Sequence, residues 1–215
     1  MSNTYGSIHI QTRQSESVVQ MILGTYEDQP NSYDVAITVC QQRNLYVNPE
    51  FLALMKRLYQ LEQENFIVTV SNGWVSLYDE QMSLEEVTKK ARSFAKKTQE
   101  PIIYISCFDG DVFVFGLIEN GKTKTSGRAC AAPDVYDMTE KQAKMAEFYR
   151  VTGASMPEKR MKMPSDVTEL ENLLSSIMPV PLIVYDEDAF KSLAEEYELS
   201  EEVRGIRVFK VKYKK

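Results

Sequence analysis

The chain has 215 residues, 43% of them hydrophobic, 26% charged and 10% aromatic, and 25 Lys and Arg against 31 Asp and Glu give a formal charge of −6. Nine Gly and eight Pro exclude a collagen-like or low-complexity chain, and three Cys exclude a disulfide framework. A single His leaves little room for His-based metal sites or His-dependent catalysis.

At roughly 100–200 residues per domain, the length fits one domain over 1–215, with 138–215 as an optional helical C-terminal subdomain. Such a chain buries roughly 70% of its extended surface, so it needs neither metal nor disulfide to fold. The start Met1-Ser2-Asn3-Thr4-Tyr5-Gly6 has no basic segment followed by an apolar run. It predicts no secretory signal and a cytoplasmic protein with reduced thiols. The longest apolar runs, such as Val112 to Ile118, fall far short of the roughly 18–20 residues that span a bilayer.

In chain order, Ser7–Thr12 reads as a strand, Ser15–Leu23 as a short helix and Asp34–Gln41 as a strand. Asn48-Pro49 supplies an N-cap and a Pro at the first helical position for a helix running to about Glu64. Phe66–Ser71 and Trp74–Asp79 flank Asn72-Gly73, which favours the left-handed backbone pair of a type I′ turn, so they read as a hairpin. Ser83 with Glu86 forms a capping-box pattern. Leu84, Val87, Ala91, Phe94 and Ala95 then recur at helical spacing, with Lys89, Lys90, Arg92, Lys96 and Lys97 mostly on the other side.

Pro101 closes that helix, and two further hairpins follow. Asp109-Gly110 separates Ile102–Phe108 from Val112–Ile118, and Asn120-Gly121 separates the latter from Lys122–Arg128. Val112–Ile118 is apolar on both faces and should lie inside the sheet with both faces covered. The unit is ββ-α-βββ. Thr139 with Gln142 gives a second capping-box pattern before Ala143–Val151. Gly153–Pro164 reads as a loop. Ser165 starts a helix with a stripe at Val167, Leu170, Leu173, Leu174 and Ile177, which Pro179 and Pro181 end. Leu182–Tyr185 reads as extended, Glu187–Tyr197 as a helix and Ile206–Tyr213 as a strand. Val75–Glu80 and Leu182–Glu187 echo one another ahead of a helix, either as a duplicated strand–helix unit or by chance.

No local pattern marks an enzyme. Gly121–Gly127 is the nearest thing to a phosphate loop, but it sits in a hairpin strand, where its N–H groups pair with a neighbour instead of converging on an anion. No G-x-S-x-G elbow occurs. Cys40 and Cys107 lie in strands and should be buried and inert, which leaves Cys130, in the irregular segment Ala129–Pro133, as the one candidate reactive thiol. His9 alternates with Ile8 and Ile10 and reads as a surface or satisfied histidine. Asp109-Gly-Asp111 lacks the further oxygens that a calcium loop needs, and paired acids before helices answer the helix dipole. No metal site and no cofactor are expected. The Met156–Met163 segment, rich in Met and basic residues, could present an adaptable protein-binding surface.

Trp74-Val-x-Leu-Tyr-Asp-Glu80, the helix after it, and Asp109-x-Asp-Val-x-x-Phe-x-Leu117 with Asn120-Gly121 resemble an uncharacterised family of bacterial cytosolic proteins. The likeness covers about Asn72 to Tyr136. In that family a W-V-x-V-Y segment precedes a helix, and a D-x-D-V-x-x-Y strand is followed by a glycine turn and a serine–proline segment. Here Phe115 takes the Tyr position, and Gly127–Pro133 takes the last place without aligning its serine. The resemblance implies an α+β fold and carries no activity.

The sequence thus predicts an α+β protein with a mainly antiparallel sheet of six or more strands, helices packed on it, and a ββ-α-βββ central unit. The leading function is non-enzymatic binding of a protein partner or small ligand, with no membrane association; a homodimer is compatible with it. The alternatives are an enzyme with a scattered carboxylate site and nucleic-acid binding through the basic helix 83–98. Candidate ligand-binding residues are Trp74, Tyr78, Asp109, Asp111, Arg128 and Cys130, because turns carried on a rigid sheet are common binding positions.

Overall fold

A computed structural model describes residues 4–27, 42–43, 65–79, 82–157, 162–183 and 207–210. The expected strand at Asp34–Gln41 and the helices at 48–64 and 187–197 lie outside the described residues. In chain order the elements are β1 (Tyr5–Gln11), α1 (Ser15–Glu27), β2 (Asn65–Ser71), β3 (Trp74–Asp79), α2 (Leu84–Thr98), β4 (Ile102–Phe108), β5 (Val112–Glu119), β6 (Lys122–Cys130), α3 (Pro133–Tyr136), α4 (Met145–Thr152), α5 (Val167–Ile177) and β7 (Arg207–Lys210). The class is α+β. One seven-stranded sheet has the order β6-β5-β4-β1-β3-β2-β7, and every described pair is antiparallel.

The three predicted hairpins form where the Asx-Gly pairs stand. Asn72-Gly73, Asp109-Gly110 and Asn120-Gly121 all have φ between 49° and 77°, the left-handed pair that twists in step with its flanking strands. Turn chemistry therefore makes β2–β3, β4–β5 and β5–β6 neighbours. It does not place β1, which inserts between β3 and β4 and pairs with both along its length.

The sheet has two covered faces because its side chains alternate. On one face Ile8, Ile10, Val68, Leu77, Ile102 and Ile118 pack under α1 and α2. Val87, Ala91, Phe94 and Ala95 form the buried stripe of α2. Ser83 caps it as expected: its hydroxyl accepts from the Glu86 N–H, and the Glu86 carboxylate accepts from the Ser83 N–H at 3.0 Å. The helix stops at Gln99, whose φ of 58° turns the chain toward Pro101.

On the other face Tyr5, Trp74, Ile105, Phe113, Phe115 and Leu117 form a core with α4, α5 and residues 178–182. The Phe115 and Phe148 rings meet at a tilt of 49° with centroids 5.1 Å apart. Each fully buried side chain of this size contributes about 1.5–3 kcal/mol relative to exposure. β5 is covered on both faces except at Val114, which is half-buried.

Several local expectations shift. The helix predicted from Thr139 and Gln142 begins later, at Met145, and its N-cap Lys144 makes no side-chain capping bond. The 139–144 stretch is instead drawn to the sheet edge, where Arg128 and Lys141 exchange backbone hydrogen bonds of 2.9 and 3.0 Å. Asp166 caps α5 in place of Ser165, its carboxylate accepting from the Glu169 N–H. Helix α1 continues to Glu27, past Leu23. Residues 182–183 are not in a strand, and the rest of the echoed segment lies outside the described residues. Residues 153–157 and 162–164 carry no regular structure, yet Met163 is buried against Gly127. Among the described residues no helix is long and apolar enough to cross a membrane.

Candidate functional site

The six residues singled out in the sequence separate into two groups. Trp74 and Tyr78 project into the α4/α5 side of the sheet and are buried. The Tyr78 hydroxyl donates to the Pro181 carbonyl at 2.9 Å, tying residues 178–183 to the sheet. Neither side chain is open to a ligand. The cover arrives from about 100 residues downstream, so local sequence could not reveal it. Asp109, Asp111, Arg128 and Cys130 gather where β4, β5 and β6 meet. Cys130 is the last residue of β6 and is buried, not part of an accessible irregular segment.

The sheet end near Asp109 carries the most distinctive surface. Phe108 is the last residue of β4 and is 39% exposed. The chain leaves β6 through Ala131, whose N–H bonds the Asp111 carbonyl at 2.8 Å, and enters the single turn α3. This places Tyr136 edge-on to Phe108, with ring centroids 6.1 Å apart. The Tyr136 hydroxyl donates to Asp111 Oδ2 at 3.0 Å. Between Asp134 and Tyr136, Val135 projects outward and is 78% exposed. Asp109, Asp134 and Asp137 are exposed around these three side chains.

The field here is negative. The Asp111 hydrogen bond, followed by burial and the charges of Asp111 and Asp109, raises the Tyr136 phenol above its ordinary range. Just inside, burial first, then Glu171, Asp111 and Asp109, pushes the Cys107 thiol up to about 11, which keeps it a neutral thiol. Glu171 also accepts a 2.6 Å hydrogen bond from the Tyr5 hydroxyl, joining α5 to β1.

Farther along the same sheet face the charge reverses. Gly116 of β5 lies under the Tyr104 ring, which fills the space a Cβ would take. Burial raises the Tyr104 phenol, while the nearby Arg92 charge and a Thr88 hydrogen bond oppose the rise. Gly116 pairs with Ser126 of β6, and Lys141 Nζ donates to Ser126 Oγ at 2.7 Å. Arg128, two residues on, is half-buried and donates from Nε to the Thr139 carbonyl at 2.7 Å. The register shift between Leu117 and Ile118 makes Lys124 the extra residue of a bulge, and it is exposed.

His9 occupies the opposite face, beneath no solvent. Its Nε2 lies 3.0 Å from Ser7 Oγ and its Nδ1 2.9 Å from Ser76 Oγ. The ring stands edge-on to Tyr78 at 5.6 Å. Burial lowers its pKa to about 3, so the imidazole is neutral. Both nitrogens are occupied and the ring is fully buried. The Ser–His contacts therefore satisfy a core histidine and do not activate a nucleophile. The satisfied reading of His9 holds and the surface reading does not: the apolar face and its opposite are both covered.

A separate open groove of about 240 Å³ lies between the start of α1 and the end of α2, with Thr12, Ser17, Val18, Lys97 and Glu100 among its walls. No group of three His, Cys, Asp or Glu that could hold a metal occurs among the described residues.

Phe108, Val135 and Tyr136 were not singled out in the sequence. The available signals were a large apolar residue beside an exposed Asp-Gly turn, and a Pro-Asp-Val-Tyr turn too short to bury its own apolar side chains. Comparison with protein-family models, curated proteins and solved structures finds no match to this chain.

Proposed function

We propose that the chain is a non-enzymatic cytosolic binding protein that docks a protein partner at the sheet end formed by Phe108, Val135 and Tyr136. The observation that carries this reading is the exposure of Phe108 and Val135 on either side of the half-buried Tyr136 ring, with Asp109, Asp134 and Asp137 exposed around them. An apolar centre with a polar rim is the usual anatomy of a protein interface, and aromatic anchors supply most of its energy. The turn that holds the patch is rigid: it is pinned by the Asp111 carbonyl, the Tyr136–Asp111 bond and the Asp109 N–H donating to Thr4 Oγ1 at 3.1 Å.

Arg92 and Lys96 on α2 favour the nucleic-acid alternative, but the aspartates on the same face repel phosphate, so that reading ranks second. A small ligand would find its place in the groove at Thr12 and Lys97.

The test is a photo-crosslinking residue in place of Val135, with the exposed turn position Asn120 as control, irradiated in the living host. A protein adduct formed from position 135 and not from 120 is expected. Equal labelling at both, or none at 135, overturns the reading.

A further inference from the structure

Phe108, Val114 and Arg128 lie on a single face of β4, β5 and β6, and Tyr136 of α3 stands beside Phe108. Phe108 pairs with Val112, and Val114 is flanked by Ser106 and Arg128. At one end stand Asp109, Asp134 and Asp137, all exposed. At the other stand Arg92, Lys124 and Lys141, also exposed. Lys141 is held over Ser126, beside Gly116. From Asp111 to Gly116 is five residues of β5, or about 17 Å at the rise of a strand. The face therefore runs acidic, apolar, basic over that length.

We propose that this face pairs with the same face of a second copy of the chain about a twofold axis near Val114, giving a symmetric dimer. The proposal rests on the docking reading above and names its partner. Rotating an acidic–apolar–basic strip by half a turn sets each acidic end on the other copy's basic end and each apolar centre on the other. An isologous interface requires that self-complementarity. A foreign partner requires only that one end be matched, whereas a second copy matches both. The opposed charges also set the register of the pair, because any parallel arrangement places like charges together.

The experiment is native mass spectrometry with sedimentation equilibrium on the purified full chain, at low and high salt. Twice the chain mass is expected, with the dimer weakening as salt rises. Two variants follow. One reverses the basic end, with Arg92→Glu, Lys124→Glu and Lys141→Glu. The other removes and reverses the acidic end, with Asp134→Lys, Asp109→Asn and Asp137→Asn. Asn is used at the last two because φ is 55° at Asp109 and 49° at Asp137, a region Asn tolerates.

Each variant alone faces like charges or loses attraction, and its dimer should weaken by about a hundredfold or more. Mixed together they should form a dimer of one copy of each. Circular dichroism of each variant establishes that it is folded, and the mixed dimer shows that each remains competent.

A wild-type monomer overturns the proposal, as does a dimer that both variants leave intact or a mixture that stays monomeric. The docking reading has its own readout. A position-135 adduct with a different protein, beside a monomeric wild type, keeps that reading and removes this one.

Discussion

Acidification should destabilise this protein through one residue, His9. In the folded state burial holds the imidazole at about 3, while in the unfolded chain it titrates near its ordinary value of about 6.5. Above the unfolded value both states are neutral and His9 imposes no penalty. Below it the unfolded state binds a proton that the folded state refuses. Stability then falls by about 1.4 kcal/mol per pH unit until the folded value is reached.

Between about pH 7 and about pH 4.5 the loss is about 2–3 kcal/mol, a large part of a typical domain's stability of about 5–15 kcal/mol. Carboxylates also take up protons toward the lower end of this range, so the effect has to be read as a difference. His9→Gln can still hydrogen-bond Ser7 and Ser76 but does not titrate. The variant should start less stable at neutral pH and lose about 2–3 kcal/mol less than wild type on acidification.

Urea denaturation at the two pH values measures this, followed by the fluorescence of Trp74, the single and buried tryptophan. Parallel losses in the two proteins would falsify the reasoning. They would mean that the folded protein accepts the proton at His9 despite its burial.

Other tests probe separate parts of the structure. Gly116→Ala sets a Cβ within the Tyr104 ring and should cost about 1–3 kcal/mol; in a Tyr104→Leu background the penalty should shrink, which a double-mutant cycle on denaturation midpoints reads directly. Ser83→Ala removes the hydroxyl that accepts from the Glu86 N–H, leaving the backbone arm of the α2 capping box in place, and should cost about 1 kcal/mol, seen as a lower urea midpoint with an unchanged slope. In Asp111→Asn the Tyr136 phenol loses its carboxylate acceptor and should titrate lower than in wild type. Phenolate absorbance, with Tyr136→Phe identifying the signal, gives the comparison, and an unmoved titration refutes the assigned cause.

The single His shows how a correct pattern led to half of a correct placement. Alternation with Ile8 and Ile10 put it on the face opposite those residues, and there it is. Its exposure was decided by Trp74, Tyr78 and residues 178–182, which cover that face from elsewhere in the chain. Trp74 and Tyr78 reversed the outcome in the same way. Both stood among the candidate binding residues of the sheet, and the cover made them core.

Local chemistry alone determined the three hairpins, the capping box of α2 and the stripe of α5. Each depends on φ preferences, caps or side-chain spacing within a dozen residues, where the competing conformations differ by the residues themselves. Tertiary structure decided the rest. β1 entered between β3 and β4, joining residues about 70 and about 100 apart that no turn links. The start of α4 moved to Met145 because the preceding residues found better backbone partners on β6. The acidic–apolar–basic face exists only because that same edge brought Lys141 beside Ser126 and α3 brought Tyr136 beside Phe108. A sequence states its local preferences directly, whereas a surface is composed of residues that only the packed sheet makes neighbours.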